Sequence, residues 1–147
     1  MNNRVLLADD DRDDAEIFEE ALQKSCPSAT FHRVENGIKL FQYLNDVQNS
    51  KPDIIFLDLN MPEMSGWQCL ARLKNTDEHK NIPVIMYTTS SNPRDKEFAR
   101  DLNAHGLITK PKNPKVLEKV LGLIICSLHS NEIRQVIQDA YLLTRDS

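Results

Sequence analysis

The sequence predicts an α/β fold, a doubly wound parallel sheet with helices on both faces. Two observations predict it. Short apolar runs alternate with amphipathic helical segments five times along the chain, and residues 54–57 (Ile-Ile-Phe-Leu) form an apolar run without interruption. Such a run is typical of a strand buried on both faces of a parallel sheet, and the alternation implies right-handed crossovers between strands. We therefore expect a five-stranded sheet with five helices, plus one more helix near the C-terminal end.

Five apolar runs predict the strands, and breaker residues limit them. The runs are residues 5–8, 30–34, 54–57, 83–87 and 106–109. Pro62 and Pro111 follow the third and fifth runs. Because proline has no backbone N–H to donate, each of these strands must end before its proline. The second run alternates polar and apolar residues, which favours a place near the edge of the sheet.

Apolar residues at helical spacing predict six helices. Pro27 ends the first helix, and Pro93 opens the fourth at a first-turn position, where its missing N–H is harmless. In chain order the helices carry Ile17, Phe18, Ala21 and Leu22; Leu40, Phe41, Leu44 and Val47; Trp67, Leu70, Ala71 and Leu73; the stretch that Asn92-Pro93 opens; Val116, Leu117, Val120, Leu121, Ile124 and Leu128; and Ile133, Val136, Ile137, Ala140 and Tyr141.

Composition excludes several classes of function. The 147 residues carry a net charge of −4, so a generic basic surface for nucleic acid is not expected. No apolar run approaches the roughly 20 residues that a membrane span requires, and the N-terminal residues do not have the pattern of a signal peptide. The three cysteines lie far apart without zinc-site spacing. An odd number of cysteines without a disulfide framework is typical of reduced thiols in a cytoplasmic protein.

Polar residues follow four of the five predicted strands. Asp9 and Asp10 follow the first, Asp58 the third, Thr88 the fourth and Lys110 the fifth. The carboxyl ends of parallel strands share one edge of the sheet, where open α/β sheets bind ligands. If the first and third strands are neighbours, three carboxylates converge and repel by about 4 kcal/mol per pair at about 4 Å and an effective dielectric of about 20. A hard divalent cation, Mg²⁺ or Mn²⁺, would offset this repulsion, and Lys110 supplies a second positive charge.

The same residue types fit phosphoryl chemistry. Mg²⁺ in proteins usually binds a few carboxylates, several waters and often a phosphate oxygen. A carboxylate such as Asp58 can act as a nucleophile and form an acyl phosphate. A metal ion and an ammonium group can stabilise the charge of the transition state, and a threonine hydroxyl can donate to a phosphoryl oxygen. The plainer alternative is that Asp58 only caps a turn, because aspartate is a common turn residue.

The ordered set of strand-end residues resembles the receiver domain of two-component response regulators. The resemblance covers about residues 3 to 130 and implies a flavodoxin-like sheet with strand order 2-1-3-4-5. We therefore expect a receiver domain in residues 1–130 and an amphipathic helical extension in residues 131–147. The residues that carry the resemblance are Ala8-Asp9-Asp10, Asp58 with Met61-Pro62 and Gly66, Thr88, and Lys110-Pro111.

The resemblance also implies a role for each reacting residue. Asp58 would be the phosphoacceptor, and Thr88 would hold the phosphoryl group. Lys110 would pair with Asp58 and then with the phosphate. The peptide between Lys110 and Pro111 is commonly cis in the family, so a cis bond is expected here.

The metal ligands follow from the same resemblance. Asp10 would bind the ion directly, Asp9 would assist, through water in one arrangement, and Asp58 would be a third ligand. The backbone carbonyl of Asn60 would supply another oxygen. The other acids of this region, Asp11, Asp13 and Asp14, are expected to form a solvated acidic start of the first helix.

The function that the resemblance implies is that of a single-domain response regulator rather than an enzyme. A sensor histidine kinase or a histidine phosphotransfer protein would donate the phosphoryl group, and the signal would pass to an unknown downstream protein by binding or by onward transfer. The stretches Asp-Asp-x-x-Asp-Asp-Ala-Glu and Thr-Thr-Ser-Ser-Asn-Pro look most like the single-domain regulators whose partners include phytochrome-type kinases. Neither nucleic acid nor a membrane is an expected partner.

Two features depart from the family pattern. Many receivers carry an aromatic residue three positions before the lysine, but this position is Leu107 here. Tyr87 could take part of the switching role of that ring, or it could be a packing residue. The extension of residues 131–147 is expected to pack against its own or a neighbouring receiver. The alternatives are an arm that docks a kinase or one that forms a homodimer.

Three other functions stay open at this point. An aspartate-nucleophile phosphatase would carry a second aspartate two residues after the nucleophile, but that residue is Asn60. A flavodoxin-like cofactor binder would need a phosphate loop after the first strand, where this chain has acids that would repel FMN phosphate. The third is a pseudo-receiver, an interaction module that is never phosphorylated.

Overall fold

The computed structural model describes residues 3–145, and its centre is a parallel five-stranded sheet in the order β2-β1-β3-β4-β5. This order confirms the predicted α/β fold and its flavodoxin-like strand arrangement. β3 lies in the middle of the sheet, and all four of its residues are buried, which agrees with its uninterrupted apolar run. The strands are β1 (Arg4–Ala8), β2 (Thr30–Val34), β3 (Ile54–Leu57), β4 (Val84–Thr88) and β5 (Gly106–Thr109).

Residues 3–145 contain six helices, in the order along the chain that the sequence predicts. Asn36, Asn92 and Asn113 cap α2, α4 and α5, each accepting a backbone N–H of the first turn. None of the helices in residues 3–145 combines the length and apolar character needed to cross a bilayer. The helices are α1 (Arg12–Ser25), α2 (Gly37–Asn45), α3 (Gly66–Lys74), α4 (Pro93–Asp101), α5 (Pro114–Cys126) and α6 (Ile133–Thr144).

The prediction that Val47 lies on the apolar face of α2 is wrong. The helix ends at Asn45, and Val47 is 97% exposed. The reason is a turn built on Asp46, whose carboxylate accepts the backbone N–H of Gln48 at 2.9 Å and whose carbonyl accepts that of Asn49 at 3.0 Å. This local hydrogen bonding competes with continuation of the helix.

Side chains of the sheet alternate between two apolar layers. One layer packs against α1, α5 and part of α6, and the other against α2, α3 and α4. On β4, Tyr87 belongs to the first layer and Met86 to the second. The polar strand-end residues therefore sit on a rigid, close-packed frame.

Helix α6 packs on the edge strand β5 and on α5 of the same chain. Its buried residues include Ile137 and Ala140, which lie on the amphipathic face that the sequence predicts. Gly106 makes the close approach possible, because a Cβ at this position would lie 2.4 Å from Cγ2 of Ile137.

Candidate functional site

All the predicted site residues lie at the carboxyl edge of the sheet. Asp9 directly follows β1 and is fully buried, whereas Asp10, the next residue, is exposed. Asp58 directly follows β3 and is 6% exposed, and Thr88, the last residue of β4, is fully buried. Lys110 directly follows β5. The strand ends therefore bring together residues that are far apart in the sequence.

Three carboxylates converge at this edge. One oxygen each from Asp9, Asp10 and Asp58 lies within 4.8 Å of the others. β1 and β3 are neighbours in the sheet, and the Asp58 backbone N–H donates to the Ala8 carbonyl at 2.9 Å. The condition for convergence, that the first and third strands are neighbours, is therefore met.

The Lys110 ammonium is the positive charge closest to these acids among the described ion pairs of the site. Its Nζ lies 2.8 Å from Oδ2 of Asp9 and 3.8 Å from Oδ2 of Asp58, and its side chain is only 9% exposed. Burial lowers the pKa of Lys110, but its hydrogen bonds to Asp9 and Asp14, together with the charges of Asp9 and Asp58, outweigh that effect and the net pKa is raised. Lys110 is therefore charged at neutral pH, and its hydrogen bonds go to residues other than Asp58.

Asp14 belongs to this site, which corrects the expectation that it is solvated at the start of the first helix. Its Oδ2 lies 2.9 Å from Nζ of Lys110, and its side chain is 33% exposed. The first turn of α1 turns Asp14 inward because Asp11 caps the helix, accepting the Asp14 backbone N–H at 3.1 Å. Asp11 and Asp13 are exposed, as predicted.

The Asp58 carboxyl binds a proton more tightly than an ordinary aspartate does. Burial, opposed by the charge of Lys110 and reinforced by that of Asp9, raises its pKa to about 7. The single ammonium therefore leaves the negative charge of the site only partly compensated. An additional cation would restore the ionised form of Asp58. Because the donors are carboxylate oxygens, the residues fit a hard divalent cation.

The backbone after β3 is held tightly behind Asp58. The N–H of Gly66 donates to the Leu59 carbonyl at 2.8 Å, and a Cβ at Gly66 would lie 2.2 Å from the carbonyl oxygen of Asp58. The Asn60 backbone N–H lowers the pKa of Asp58 by hydrogen bonding. Gly66 is therefore required by close contact with the backbone that carries Asp58.

Thr88 connects the sheet edge to the loop before α4. Its hydroxyl oxygen accepts the backbone N–H of Ser90 at 3.1 Å. The backbone N–H of Lys110 donates to the Thr88 carbonyl at 2.7 Å, which ties the end of β5 to the end of β4. Thr88 and Lys110 are thus fixed relative to each other by a main-chain hydrogen bond.

Tyr87 is a packing residue. Its ring is 2% exposed and makes edge contacts with Phe18 and Phe56, with ring centroids 5.4 Å and 6.4 Å away. It belongs to the apolar layer opposite the one that contains Leu107. Nζ of Lys110 lies 5.4 Å from the ring centroid, so Tyr87 packs in this apolar layer and also borders the site.

The expected cis peptide between Lys110 and Pro111 is not found. Within residues 3–145 every peptide bond is trans. The trans isomer is the lower-energy form of an X–Pro bond by about 0.5–1 kcal/mol, and Lys110 reaches Asp9 and Asp14 with the trans bond.

Comparison with known proteins identifies a family with this arrangement. Residues 5–122 match the family described as the response regulator receiver domain. The response regulator Rcp1 of Synechocystis sp. is 31% identical over 121 residues, which is 80% of this chain and 82% of Rcp1.

Two solved structures share the fold. The Mn²⁺-bound form of response regulator Rcp1 aligns with a TM-score of 0.76 at 28% identity, over 88% of this chain and 96% of that one. The phosphorylated cyanobacterial phytochrome response regulator RcpA aligns with a TM-score of 0.78 at 31% identity, over the same shares of the two chains.

Proposed function

Because the chain belongs to the response regulator receiver domain family, we propose that Asp58 is its phosphoacceptor. An oxygen of the Asp58 carboxylate attacks the phosphorus atom of a phosphohistidine on a donor protein. The new P–O bond forms as the P–N bond breaks, and the bonding electron pair remains on the donor's imidazole nitrogen. The product is an aspartyl phosphate.

The neighbouring residues have distinct roles in this proposal. Lys110 moves from its hydrogen bonds with Asp9 and Asp14 toward the phosphoryl oxygens, whose charge it offsets. The Thr88 hydroxyl donates a hydrogen bond to one of these oxygens. Thr88 is fully buried at the end of β4, the strand next to β3, and Lys110 is nearly buried with its Nζ 3.8 Å from Asp58, so little desolvation is needed when the phosphoryl group arrives.

The metal ligands we propose are Asp9, Asp10 and Asp58, with the Asn60 backbone carbonyl as a fourth. Mg²⁺ is the proposed ion, with Mn²⁺ as a substitute. When bound, it keeps Asp58 ionised and supplies positive charge at the transferring phosphoryl group. The support from this chain is the cluster of three carboxylates within 4.8 Å and the raised pKa of Asp58.

The convergence of Asp9, Asp58 and Lys110 from three strands is the observation that carries the proposal. Incubation of the purified chain with acetyl phosphate and Mg²⁺ tests it directly. We expect the intact mass to increase by one phosphoryl group, and hydroxylamine to reverse the increase. Asp58→Asn should abolish labelling, whereas Asp101→Asn, on an exposed turn of α4, should not. Undiminished labelling of Asp58→Asn would overturn the assignment.

We propose that the donor is a sensor histidine kinase or a histidine phosphotransfer protein. Similarity to a regulator whose name includes phytochrome makes phytochrome-type kinases the first donors to test. Transfer from one purified kinase, with others from the same genome as controls, would identify the pair. A downstream protein then recognises the phosphorylated form.

The family relationship does not favour the pseudo-receiver alternative. Asn60 argues against a fast phosphatase because it cannot serve as a carboxylate acid or base. We also propose that residues 1–130 form the receiver and residues 131–147 an extension, of which α6 packs on β5 and α5. A cytoplasmic location is also proposed, and it is supported by the free thiols of Cys26, Cys69 and Cys126.

A further inference from the structure

The last residues of α6 contact the residue that precedes Lys110. Thr144 is fully buried, and its hydroxyl oxygen accepts the backbone N–H of Thr109 at 3.1 Å. The next N–H, that of Lys110, points to the opposite side and donates to the Thr88 carbonyl at 2.7 Å. The end of β5 is therefore held between β4 on one side and α6 on the other.

A second set of hydrogen bonds links the same residues to Thr88. The Thr109 hydroxyl donates to the Ser90 carbonyl at 3.4 Å, and the Ser90 N–H donates to the Thr88 hydroxyl oxygen at 3.1 Å. A continuous path thus runs from the proposed phosphoryl-binding hydroxyl of Thr88 to Thr144 on α6. The path consists of hydrogen bonds between adjacent residues of β4, its loop, β5 and α6.

The rest of α6 is held along the length of β5. Ile137 is 1% exposed over Gly106, and the Arg134 Nη1 donates to the Ala104 carbonyl at 3.1 Å. Tyr141 is 7% exposed and belongs to the same apolar cluster as Leu107. α6 therefore adds an aromatic ring to the apolar layer that contains Leu107 of β5.

We propose that α6 is a displaceable cover on β5, and that its docking and the phosphorylation of Asp58 oppose each other. This inference rests on the proposed function of Asp58. When Thr88 and Lys110 turn toward the phosphoryl group, both ends of the hydrogen-bonded path around Thr109 are pulled away from Thr144. Docking of α6 on β5 weakens as a result.

Linkage requires the effect to be reciprocal. If phosphorylation weakens the docking of α6, then weaker docking must favour the phosphorylated arrangement of the site by the same factor. Couplings of this kind usually correspond to about a 5- to 150-fold change in an equilibrium constant. This reciprocity distinguishes a cover from a helix that only adds stability.

Hydrogen exchange measured by mass spectrometry on the full chain tests the inference. Samples with Mg²⁺ alone are compared with samples that also contain acetyl phosphate. The mass of the peptide that contains Asp58, measured in the same experiment, reports whether Asp58 is phosphorylated. We expect α6 amides to exchange about 5-fold faster or more after phosphorylation, with the amides of α2, which lies on the other face of the sheet, as the unchanged reference. Phosphorylated Asp58 with unchanged exchange in α6 would overturn this inference alone, whereas absence of phosphorylation would overturn the proposed function and this inference together.

A pair of substitutions at one position supplies the reciprocal test. Thr144→Val removes the hydroxyl that accepts the Thr109 N–H, and Thr144→Ser keeps it. With beryllofluoride and Mg²⁺ as the probe for the phosphoryl group, calorimetry should show about 5-fold or more tighter binding to Thr144→Val. Thr144→Ser and the exposed control Leu142→Ala should match the unsubstituted chain. Faster exchange of α6 in Thr144→Val with unchanged beryllofluoride affinity would show a structural role only and would contradict the inference.

Discussion

Nζ of Lys110 lies 2.8 Å from Oδ2 of Asp9, which joins the end of β5 to the end of β1 across the two strands between them. The Asp9 side chain is fully buried and that of Lys110 nearly so. A buried pair of this kind is costly to break, because removal of one partner leaves the other charge without compensation. The contact therefore fixes the geometry of the site before any phosphoryl group arrives.

We expect Lys110→Gln to destabilise the metal-free chain by about 3–5 kcal/mol, the usual cost of leaving a buried charge unpaired. The reason is that Asp9 and Asp14 lose their hydrogen-bond donor while Asp58 loses a nearby positive charge. Urea denaturation in the presence of a chelator measures the change in the free energy of unfolding.

Lys112→Gln is the control for Lys110→Gln, because Lys112 is exposed two residues further along the chain. Its free energy of unfolding should stay within about 0.5 kcal/mol of the unsubstituted chain. Equal effects of the two substitutions would show that Lys110 is not the structural counter-ion of the site.

The raised pKa of Asp58 predicts a pH dependence of stability. Its folded-state pKa is about 7, above the value of about 3.9 expected in the unfolded chain. The folded state therefore binds the proton more tightly, and this stabilising contribution is complete below pH of about 4 and is lost as the pH rises through 7. In a chelator, Asp58→Asn should be more stable than the unsubstituted chain at pH 8 by a few kcal/mol, because each tenfold difference in proton affinity between the folded and unfolded chain corresponds to about 1.4 kcal/mol.

The difference in stability between Asp58→Asn and the unsubstituted chain should become smaller at pH 5, where Asp58 is protonated. Saturating Mg²⁺ at pH 8 should also reduce it, because a cation bound to the carboxylate stabilises the folded, ionised form. Thermal unfolding at the two pH values, with and without Mg²⁺, measures both effects. A difference that does not change with pH would mean that Asp58 titrates normally.

We expect Gly66→Ala to disturb the backbone that carries Asp58. The added Cβ would lie 2.2 Å from the Asp58 carbonyl oxygen and 2.8 Å from Cα of Leu59. Because main-chain atoms cannot move aside cheaply, the expected loss of stability is about 1–3 kcal/mol. Labelling of Asp58 by acetyl phosphate should decrease as well, since the carboxylate would be displaced from Lys110.

Gly122→Ala is the matched control for Gly66→Ala. A Cβ at Gly122 meets only Cβ of Ser25, at 3.6 Å, which is an ordinary contact. Because Gly122 lies inside α5, alanine should stabilise the chain by about 0.5–1 kcal/mol. Chemical denaturation of both variants tests the pair, and a Gly66→Ala variant as stable as Gly122→Ala would contradict the close contact.

Truncation of Ile137 should show how much the packing of α6 contributes to the free energy of unfolding. Its side chain is 1% exposed and packs over Gly106, so Ile137→Ala should cost about 2–5 kcal/mol if α6 unfolds together with the sheet. Leu142→Ala, on the exposed face of the same helix, should cost less than about 1 kcal/mol. Urea denaturation measures both, and similar small values would show that α6 detaches independently of the rest.

The alternation of strands and helices was sufficient to predict which residues lie at the sheet edge, whereas the strand order followed only from the resemblance to receiver domains. Each of Asp9, Asp58, Thr88 and Lys110 stands at a strand end, and parallel strands bring their ends to one edge whatever the details of packing. Asp14 could not be assigned in the same way. It lies on a helix, so its direction depends on how α1 packs and where Asp11 caps it.

Two other features required three-dimensional information. The periodicity of α6 predicts an apolar face but not the surface that covers it, and the structure places that face on β5 and α5. The helical spacing of Val47 was misleading, because a local turn at Asp46 ends α2 first. Short-range hydrogen bonding of an aspartate side chain can compete with a helical pattern that continues for two more residues.

The location of the phosphoryl group tests the central claim most directly. The chain is treated with acetyl phosphate and Mg²⁺ and then with borohydride, which reduces an aspartyl phosphate to homoserine, and peptide mapping locates the converted residue. Our account predicts conversion at Asp58, and no conversion when Mg²⁺ is replaced by a chelator. Conversion at Asp9 or Asp10 with Asp58 intact would contradict it.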